Sequence, residues 1–379
     1  MRKMIYLCFI AAIFMLSGCQ AGTESPDDKG TPTSVRVSEN IVATAVMDGD
    51  DFFASPTNDG VYFPSEFATY FDFDSADTVT LCSQSGCLHT DNTCAAWLGD
   101  ISLFAEYHGR WYVVSTTENN GFTLDEVSYK DRERKTVCSL EGESSHGLFP
   151  VSAGFSAGYA YISVQDLSFS AESDESENRL YRVDIKNGEK DLLFCDTELE
   201  CFRFLGASSN QIAILYTKYD DTSYQNATYE LRIYDSNYSE YTTITSSELG
   251  YLPTIDPKAC YGSLLIYQAN NEFWLYDFES STSQKLSEQE NVVNYWLVDG
   301  KLFTIVDQGK AFTLFFVDLN GGEPTEISAQ RGNEAIQFSL MQETQNYFIG
   351  IYRGQICFIK KTLFYNGKYE EAANLYQNN

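Results

Sequence analysis

The hydrophobic positions of this chain follow a two-residue alternation that is typical of β-strands with one buried face. An alternating segment ends in Asp, a short polar turn follows, and an apolar residue closes the next segment about nine positions later. Four units end in an Asp at spacings of 51, 42 and 41 residues: Asp184, Asp235, Asp277 and Asp318. A further unit ends at Asp72, and the unit between it and Asp184, near residues 126–138, lacks the Asp.

A repeat of about 40 to 50 residues indicates propeller blades or solenoid units. Asp, Asn and Gly after each alternating segment favour a hairpin, as at Asp184–Gly188. Upstream strands such as Gly300–Ile305 bring each unit to about four strands, which is one blade. The sequence therefore predicts an all-β fold, a β-propeller of about seven four-stranded blades, or six if the short first unit is not a blade. A pair of β-sandwiches and an open solenoid are the alternatives. The predicted units are 50–85, 101–140, 149–195, 202–247, 258–287, 294–328 and 335–377.

The first residues have the order of parts found in a lipoprotein signal peptide. Arg2 and Lys3 precede an apolar run over 4–16, which is shorter than the about 20 residues that a membrane-spanning helix needs. Leu16-Ser17-Gly18-Cys19 resembles the lipobox, in which the Cys is acylated and the chain is cut before it. We therefore expect a signal peptide over 1–18, a lipidated Cys19 with a flexible linker over 19–37, and a propeller domain over 38–379.

The formal charge of −29 becomes −31 for the mature chain, because Arg2 and Lys3 leave with the signal peptide. A field of that sign repels phosphate backbones and anionic lipid headgroups. We therefore expect no nucleic-acid partner and attachment to the membrane only through the lipid. Nothing in the sequence indicates an oligomer, and we expect a monomer.

The most unusual stretch follows the first unit and reads Cys-x4-Cys-x-His-x4-Cys, at Cys82, Cys87, His89 and Cys94. Three thiols and one imidazole supply the four ligands of a closed tetrahedral zinc site. The spacing differs from that of Cys-x2-Cys zinc fingers, and an extracytoplasmic compartment also permits a disulfide among the three cysteines. A structural zinc, one disulfide and free thiols therefore stay open as alternatives, and no cofactor is required by the sequence.

The lipobox, this motif and the blade pattern together resemble a group of uncharacterised β-propeller lipoproteins from clostridial, Gram-positive anaerobic bacteria. The resemblance covers most of the chain. It implies the propeller fold and a lipid-anchored location on the extracytoplasmic face of the cell membrane. It implies no activity.

Five further cysteines of the mature chain are weaker candidates: Cys138, Cys195, Cys201, Cys260 and Cys357. Cys138 ends a strand at a place equivalent to Cys82 and Cys195, so we expect that position to hold a small buried hydrophobe. Cys195 and Cys201 stand close enough in sequence to staple the linker between two blades. We expect the others to lie in the core.

No set of catalytic residues stands out in the sequence. Gly154-Phe155-Ser156-Ala157-Gly158 matches the G-x-S-x-G elbow of α/β-hydrolases, but it lies between β-strands and no His follows it. Acidic runs at 48–51, 72–77 and 220–221 could seat Ca²⁺, but in a chain with 54 acidic residues such runs are more often solvated turns. We therefore expect no catalytic residue, and a non-catalytic binding or scaffold propeller for a protein or an extracellular polymer. The alternative is a surface carbohydrate-active enzyme with a carboxylate pair in the propeller channel.

Overall fold

A computed structural model shows the fold of this protein. The structure describes residues 45–375 apart from these gaps: 47–54, 57–59, 65–66, 83–84, 91–92, 95, 99–100, 129–132, 143–144, 169–175, 209, 236, 251–254, 258–261, 310–311 and 329–337. The predicted signal peptide, Cys19, the linker and Cys260 lie outside the described residues. Among the described residues, no helix has the length and apolar character that crossing a membrane requires.

The chain forms a seven-bladed β-propeller of four-stranded antiparallel sheets. Blade 1 contains β2 (Ser55–Pro56), β3 (Gly60–Pro64), β4 (Ala68–Asp72) and β5 (Thr78–Thr80). Blade 2 contains β6 (Ile101–Tyr107), β7 (Arg110–Thr116), β8 (Phe122–Ser128) and β9 (Glu133–Leu140). Blade 3 contains β10 (His146–Ser156), β11 (Tyr159–Ser168), β12 (Ser176–Asp184) and β13 (Lys190–Cys195). A short strand, β1 (Ala45–Val46), is added to blade 3.

The remaining blades follow in the same order along the chain. Blade 4 contains β14 (Glu200–Ser208), β15 (Gln211–Tyr219), β16 (Asn226–Tyr234) and β17 (Tyr241–Gly250). Blade 5 contains β18 (Ile255–Pro257), β19 (Leu264–Ala269), β20 (Glu272–Asp277) and β21 (Thr282–Glu288). Blade 6 contains β22 (Val292–Val298), β23 (Lys301–Asp307), β24 (Phe312–Asp318) and β25 (Thr325–Ser328). Blade 7 contains β26 (Phe338–Glu343), β27 (Tyr347–Tyr352), β28 (Gln355–Lys360) and β29 (Ala373–Asn374), with helix α1 (Lys361–Tyr365) and a short 3₁₀ helix (Tyr369–Glu371) before β29.

The prediction of about seven four-stranded blades is confirmed, and the short first unit is a complete blade. The first strands of the blades lie nearest the ring axis, since β10 contacts both β6 and β14, and β22 contacts β26, across blade boundaries. The fourth strands are the most exposed, as the burial of β13 and β21 shows. Strand β1 pairs with the free edge of β10, at Ala45↔Ala153 and Val46↔Ser152, and so lies on the channel side of blade 3.

The hydrophobic core is divided among the seams between blades. Each of seven clusters of buried side chains joins two neighbouring blades, and together they cover every seam of the ring. A sheet with two apolar faces cannot bury them alone, so each blade depends on both neighbours for its stability. This division explains why the alternation recurs in every unit of the sequence.

The repeated Asp of the sequence pattern caps the turn between the third and fourth strands. The Asp184 Oδ1 accepts a hydrogen bond from the Lys186 backbone N–H at 2.8 Å, and the Asp277 Oδ1 accepts one from the Glu279 N–H at 3.0 Å. At Asp72, the N–H and hydroxyl of Ser75 donate to Oδ1 in the same way and lower the pKa of the carboxyl group. These Asx turns are local hairpin devices, as the sequence predicted.

Blades 7 and 1 close the ring through side chains, because among the described residues no strand is shared between them. The Phe73 and Tyr347 rings stack with centroids 4.7 Å apart, and the Phe71 ring lies 5.3 Å from that of Phe358. The Tyr347 hydroxyl also donates to Asp74 Oδ1 at 3.4 Å. Consecutive blades are joined by the polypeptide chain, whereas blades 7 and 1 are held together by aromatic packing.

A buried network of charged groups, which the sequence analysis missed, joins blade 6 to helix α1 of blade 7. Asp299 is fully buried at a two-residue turn, and its φ of +54° is followed by a φ of +62° at Gly300. Its carboxylate accepts from Lys361 Nζ at 2.9 Å and from the Tyr365 hydroxyl at 2.5 Å, and Lys361 Nζ also contacts Glu343. Burial and the Asp299 carboxylate raise the pKa of Tyr365 well above its usual range. These partners compensate for much of the desolvation cost of the charges.

We expect Asp299→Asn to lower the free energy of unfolding by about 3 kcal/mol, because it leaves the buried Lys361 with one fewer counter-charge. Asn tolerates the same positive φ, so the backbone is not the cause. Urea unfolding of the full-length protein measures the change. Glu323→Gln, at an exposed turn of the same blade, is the control and should change stability by less than about 0.5 kcal/mol. Equal stability of Asp299→Asn and the wild type would show that the network contributes nothing.

Candidate metal centre

The Cys-His motif lies in the connection between the last strand of blade 1 and the first strand of blade 2. This connection begins at Leu81, whose N–H donates to the Ala68 carbonyl at 2.9 Å. It returns to the same residue at Ala96, whose carbonyl accepts from the Ala68 N–H at 2.8 Å. Trp97 then forms a single β-bridge with Phe67. Both ends of the loop are thus fixed at the start of β4, and the motif lies between them.

The four predicted ligands converge in the structure. One ligand atom from each of Cys82, Cys87, His89 and Cys94 lies within 4.8 Å of all the others. His89 Nδ1 and Cys94 Sγ lie 3.2 Å apart. Bonds of about 2.3 Å to sulfur and about 2.1 Å to nitrogen separate the ligands of a tetrahedral zinc site by about 3.5 to 3.8 Å. The cluster is therefore close to the size that such an ion requires, and it could bind a metal such as zinc.

Two residues with positive φ bend the loop so that its ligands meet. Gly86 has φ +76°, and His89 has φ +53°, a region that favours glycine but that His enters more readily than most residues. The turn at Ser85–Gly86 brings Cys87 back towards Cys82, and the left-handed backbone at His89 aims the next segment towards Cys94. These bends lie within the loop, whose two ends are held on β4 of blade 1.

The surroundings of Cys94 disfavour a free thiolate in the absence of a cation. Burial is the largest cause that raises the pKa of the Cys94 thiol to about 11, and the neighbouring Cys87 and Cys82 raise it further. The Ala96 N–H opposes this by donating to Cys94 Sγ at 3.4 Å. A bound divalent cation would be the largest local charge and would reverse this preference.

Contacts beyond the ligands connect the loop to blade 2. Arg134 Nη1 donates to the Leu98 carbonyl at 3.4 Å, and Arg134 Nε donates to the buried Asp125 Oδ2 at 2.7 Å. Arg134 Nη2 donates to the Ser115 hydroxyl at 3.0 Å. The end of the loop is therefore anchored to two strands and a buried carboxylate of blade 2.

The other cysteines differ from one another in burial. Cys138 and Cys357 are buried, which confirms the expectation of a core position for both. Cys195 is exposed, so the expectation that its strand position is buried was wrong there, because the fourth strand of blade 3 faces solvent. Cys195 and Cys201 are separate thiols and do not staple the linker between blades 3 and 4. Cys82, Cys87 and Cys94 are likewise separate thiols in the structure.

The remaining sequence candidates have structural roles in the described part of the chain. Ser156 of the G-x-S-x-G match ends β10, and the following Ala157 and Gly158 form a tight turn with positive φ, as predicted. Asp72 caps a turn, and Asp221 Oδ1 accepts from the Ser223 N–H in another. The acidic run at 48–51 lies outside the described residues.

Sequence reasoning missed a pocket of about 240 Å³ at the seam of blades 3 and 4. The Arg232 guanidinium lies over the Tyr216 ring, 3.5 Å from its centroid, and Arg232 Nε donates to Glu230 at 2.7 Å. A strand pattern gives no signal for such a pocket, because its walls come from two different units. It is lined by Phe194, Cys195, Glu200, Cys201, Phe202, Ile214, Tyr216, Arg232 and Tyr234.

Comparison with known proteins supports the fold and nothing more specific. No protein-family model and no curated protein matches the sequence. A puromycin-hydrolyzing peptidase of Mycobacterium tuberculosis aligns with a TM-score of 0.50 at 11% identity, over 91% of this chain and 54% of that one. The chain thus spans about half the length of that peptidase.

Two further structures align at slightly lower scores. The β-propeller domain of the trilobed protease from Pyrococcus furiosus, which has an open velcro topology, aligns with a TM-score of 0.49 at 8% identity, over 87% of this chain and 99% of that one. An oligogalacturonate lyase in complex with manganese aligns with a TM-score of 0.47 at 10% identity, over 82% of this chain and 86% of that one. At such low identity these similarities carry no inference about activity.

Proposed function

We propose that this protein is a lipid-anchored, extracytoplasmic lipoprotein whose propeller binds a protein or an extracellular polymer without catalysing a reaction. The lipobox at Leu16–Cys19 and the polar linker that follows it support the anchor. They are also the features shared with the clostridial propeller lipoproteins that the sequence resembles. The strongly negative charge of the chain disfavours a nucleic acid as the partner.

The carboxylates of the first strands already have hydrogen-bond and ion-pair partners within the protein, which supports binding over catalysis. Among the described side chains of the first strands, the carboxylates are Glu200 of blade 4 and Glu343 of blade 7. The Glu200 carboxylate accepts from the Tyr216 hydroxyl and pairs with Lys218 at 3.3 Å. Glu343 belongs to the buried network around Lys361. Glu200 is engaged within blade 4, and Glu343 also accepts from the Asp299 N–H of blade 6 at 2.7 Å. Glycoside cleavage instead needs two acids that face one substrate.

The cluster of Cys82, Cys87, His89 and Cys94 is best explained as a structural zinc site. A disulfide would join two sulfurs and would leave the third thiol and the imidazole with no reason to converge. All four ligand atoms do converge. Four protein ligands would fill a tetrahedral shell and leave no open position for a reacting water, which is the arrangement of a structural site. The ligands would be three thiolates and a neutral imidazole.

We expect the full-length protein, purified anaerobically in detergent, to contain one zinc per chain by elemental analysis. Cys94→Ser should lose the metal, because it removes the buried ligand at the centre of the cluster. Cys138→Ser alters a buried cysteine outside the cluster and should retain it. A protein without zinc or iron, whose mass is lower by two hydrogens, would contain the disulfide instead.

Cys19→Ser should abolish lipid attachment and the cut before residue 19, because the thiol that carries the lipid is lost and the apolar run over 4–16 stays on the chain. Mass spectrometry of the N-terminal peptide, from cells that express the full-length protein, measures the change. Ser17→Thr, a substitution two residues before Cys19 that keeps the Cys, is the control. An N-terminal peptide without lipid in the wild-type protein would contradict the anchor.

We expect no turnover when the full-length protein is incubated with a panel of neutral, acidic and amino-sugar glycans. Binding without product would agree with the proposed role. Turnover that Glu200→Gln abolishes, and that Glu323→Gln leaves unchanged, would overturn it in favour of a carbohydrate-active enzyme. Release of reducing ends is the measurement.

A further inference from the structure

In the part of the chain that the structure describes, blade 1 has the shortest strands of the ring, and it lies at the seam where the ring closes. Its first strand, β2, has two residues and its fourth strand, β5, has three. On one side it meets blade 7 through aromatic side chains, with no shared strand among the described residues. Few backbone hydrogen bonds therefore hold this blade together, and its place in the ring depends on its two seams.

The seam between blades 1 and 2 is built largely around the Cys-His loop. Cys94, Ala96 and Leu98 are buried in one cluster with Ala68 of blade 1 and Phe104 of blade 2. Trp111 of blade 2 lies 4.5 Å from the Tyr62 ring of blade 1 by centroid distance. The loop is thus part of the core of this seam and is not an appendage on the surface.

We propose that the metal held by Cys82, Cys87, His89 and Cys94 clamps blade 1 to blade 2 and so keeps the ring closed. The inference rests on the zinc site proposed above. Cys82 lies two residues after β5 of blade 1, and Cys94 is buried against side chains of blade 2. The segment that follows Cys94 is held by both blades, because the Ala96 carbonyl accepts from Ala68 N–H of blade 1 and the Leu98 carbonyl accepts from Arg134 of blade 2. A metal that joins these two sulfurs closes the loop over the seam. As it binds, three thiol protons pass to solvent and four metal–ligand bonds replace the metal's bound waters.

The segment that the metal would hold has few apolar side chains to keep it in place. The segment between Cys82 and Cys94 contains Ser, Thr, Asn and Gly and only one large apolar side chain, Leu88, which is 82% exposed. Such a segment cannot bury enough apolar surface to order itself. Without the metal, the four ligand side chains would no longer be joined to one another, and blade 1 would separate from blade 2 more often.

Hydrogen exchange of the full-length protein, followed by mass spectrometry, tests the clamp. We expect His89→Ala to increase exchange at least about tenfold in β3 and β4 of blade 1 while leaving β15 of blade 4 within about twofold of the wild type. His89→Cys restores a fourth ligand and should return blade 1 to wild-type protection. Both variants place a side chain with a Cβ at the same positive φ, so backbone strain is matched between them.

The zinc content of each sample separates failure of the site from failure of the clamp. If the wild-type protein contains no metal, the proposed zinc site is wrong and the clamp with it. If the wild type contains zinc, His89→Ala has lost it, and blade 1 exchanges at the same rate in both, then the site stands and the clamp is wrong. A uniform rise in exchange across all seven blades would also overturn the proposal, because it would show that the metal supports the whole ring equally.

Discussion

The packing of one sheet face against the next is the interaction on which the whole ring depends. Among the described residues, seven clusters of buried side chains each belong to two blades, and a smaller eighth cluster lies within blade 4. Each blade therefore stabilises its two neighbours, as neighbouring units of a repeat protein do. In this ring the first and last blades must also pack against each other. The quality of the weakest seam then decides whether the ring stays closed.

Different kinds of side-chain interaction stabilise the different seams. Between blades 6 and 7, the fully buried Asp299 and Lys361 fix helix α1 through a network whose charges are paired. Between blades 3 and 4, the Arg182 guanidinium lies over the Tyr238 ring of the neighbouring blade. Between blades 1 and 2, a polar connection carries three thiols and an imidazole instead. Metal coordination can supply there the cross-link that apolar side chains supply elsewhere.

Several acidic side chains have structural partners within the ring. The repeated Asp residues turn hairpins, as Asp184 does by accepting from the Lys186 N–H. Glu200 pairs with Lys218 in blade 4, and Glu343 contacts both Lys361 of blade 7 and the Asp299 N–H of blade 6. Strand β1 adds to the channel side of β10.

The sequence by itself determined the propeller class with about seven blades, the blade boundaries within a few residues, the hairpin turns and the four members of the cysteine and histidine cluster, while six blades stayed possible. These features are local: period-2 alternation, turn residues and ligand spacing act over a few neighbouring positions. Only the tertiary structure decided that the four ligand atoms converge, that Cys195 faces solvent while Cys138 is buried, and that Asp299, Lys361 and Tyr365 meet. Those outcomes depend on which faces of two blades come together, and residues more than 60 positions apart in sequence are brought into contact by the ring and by no local signal.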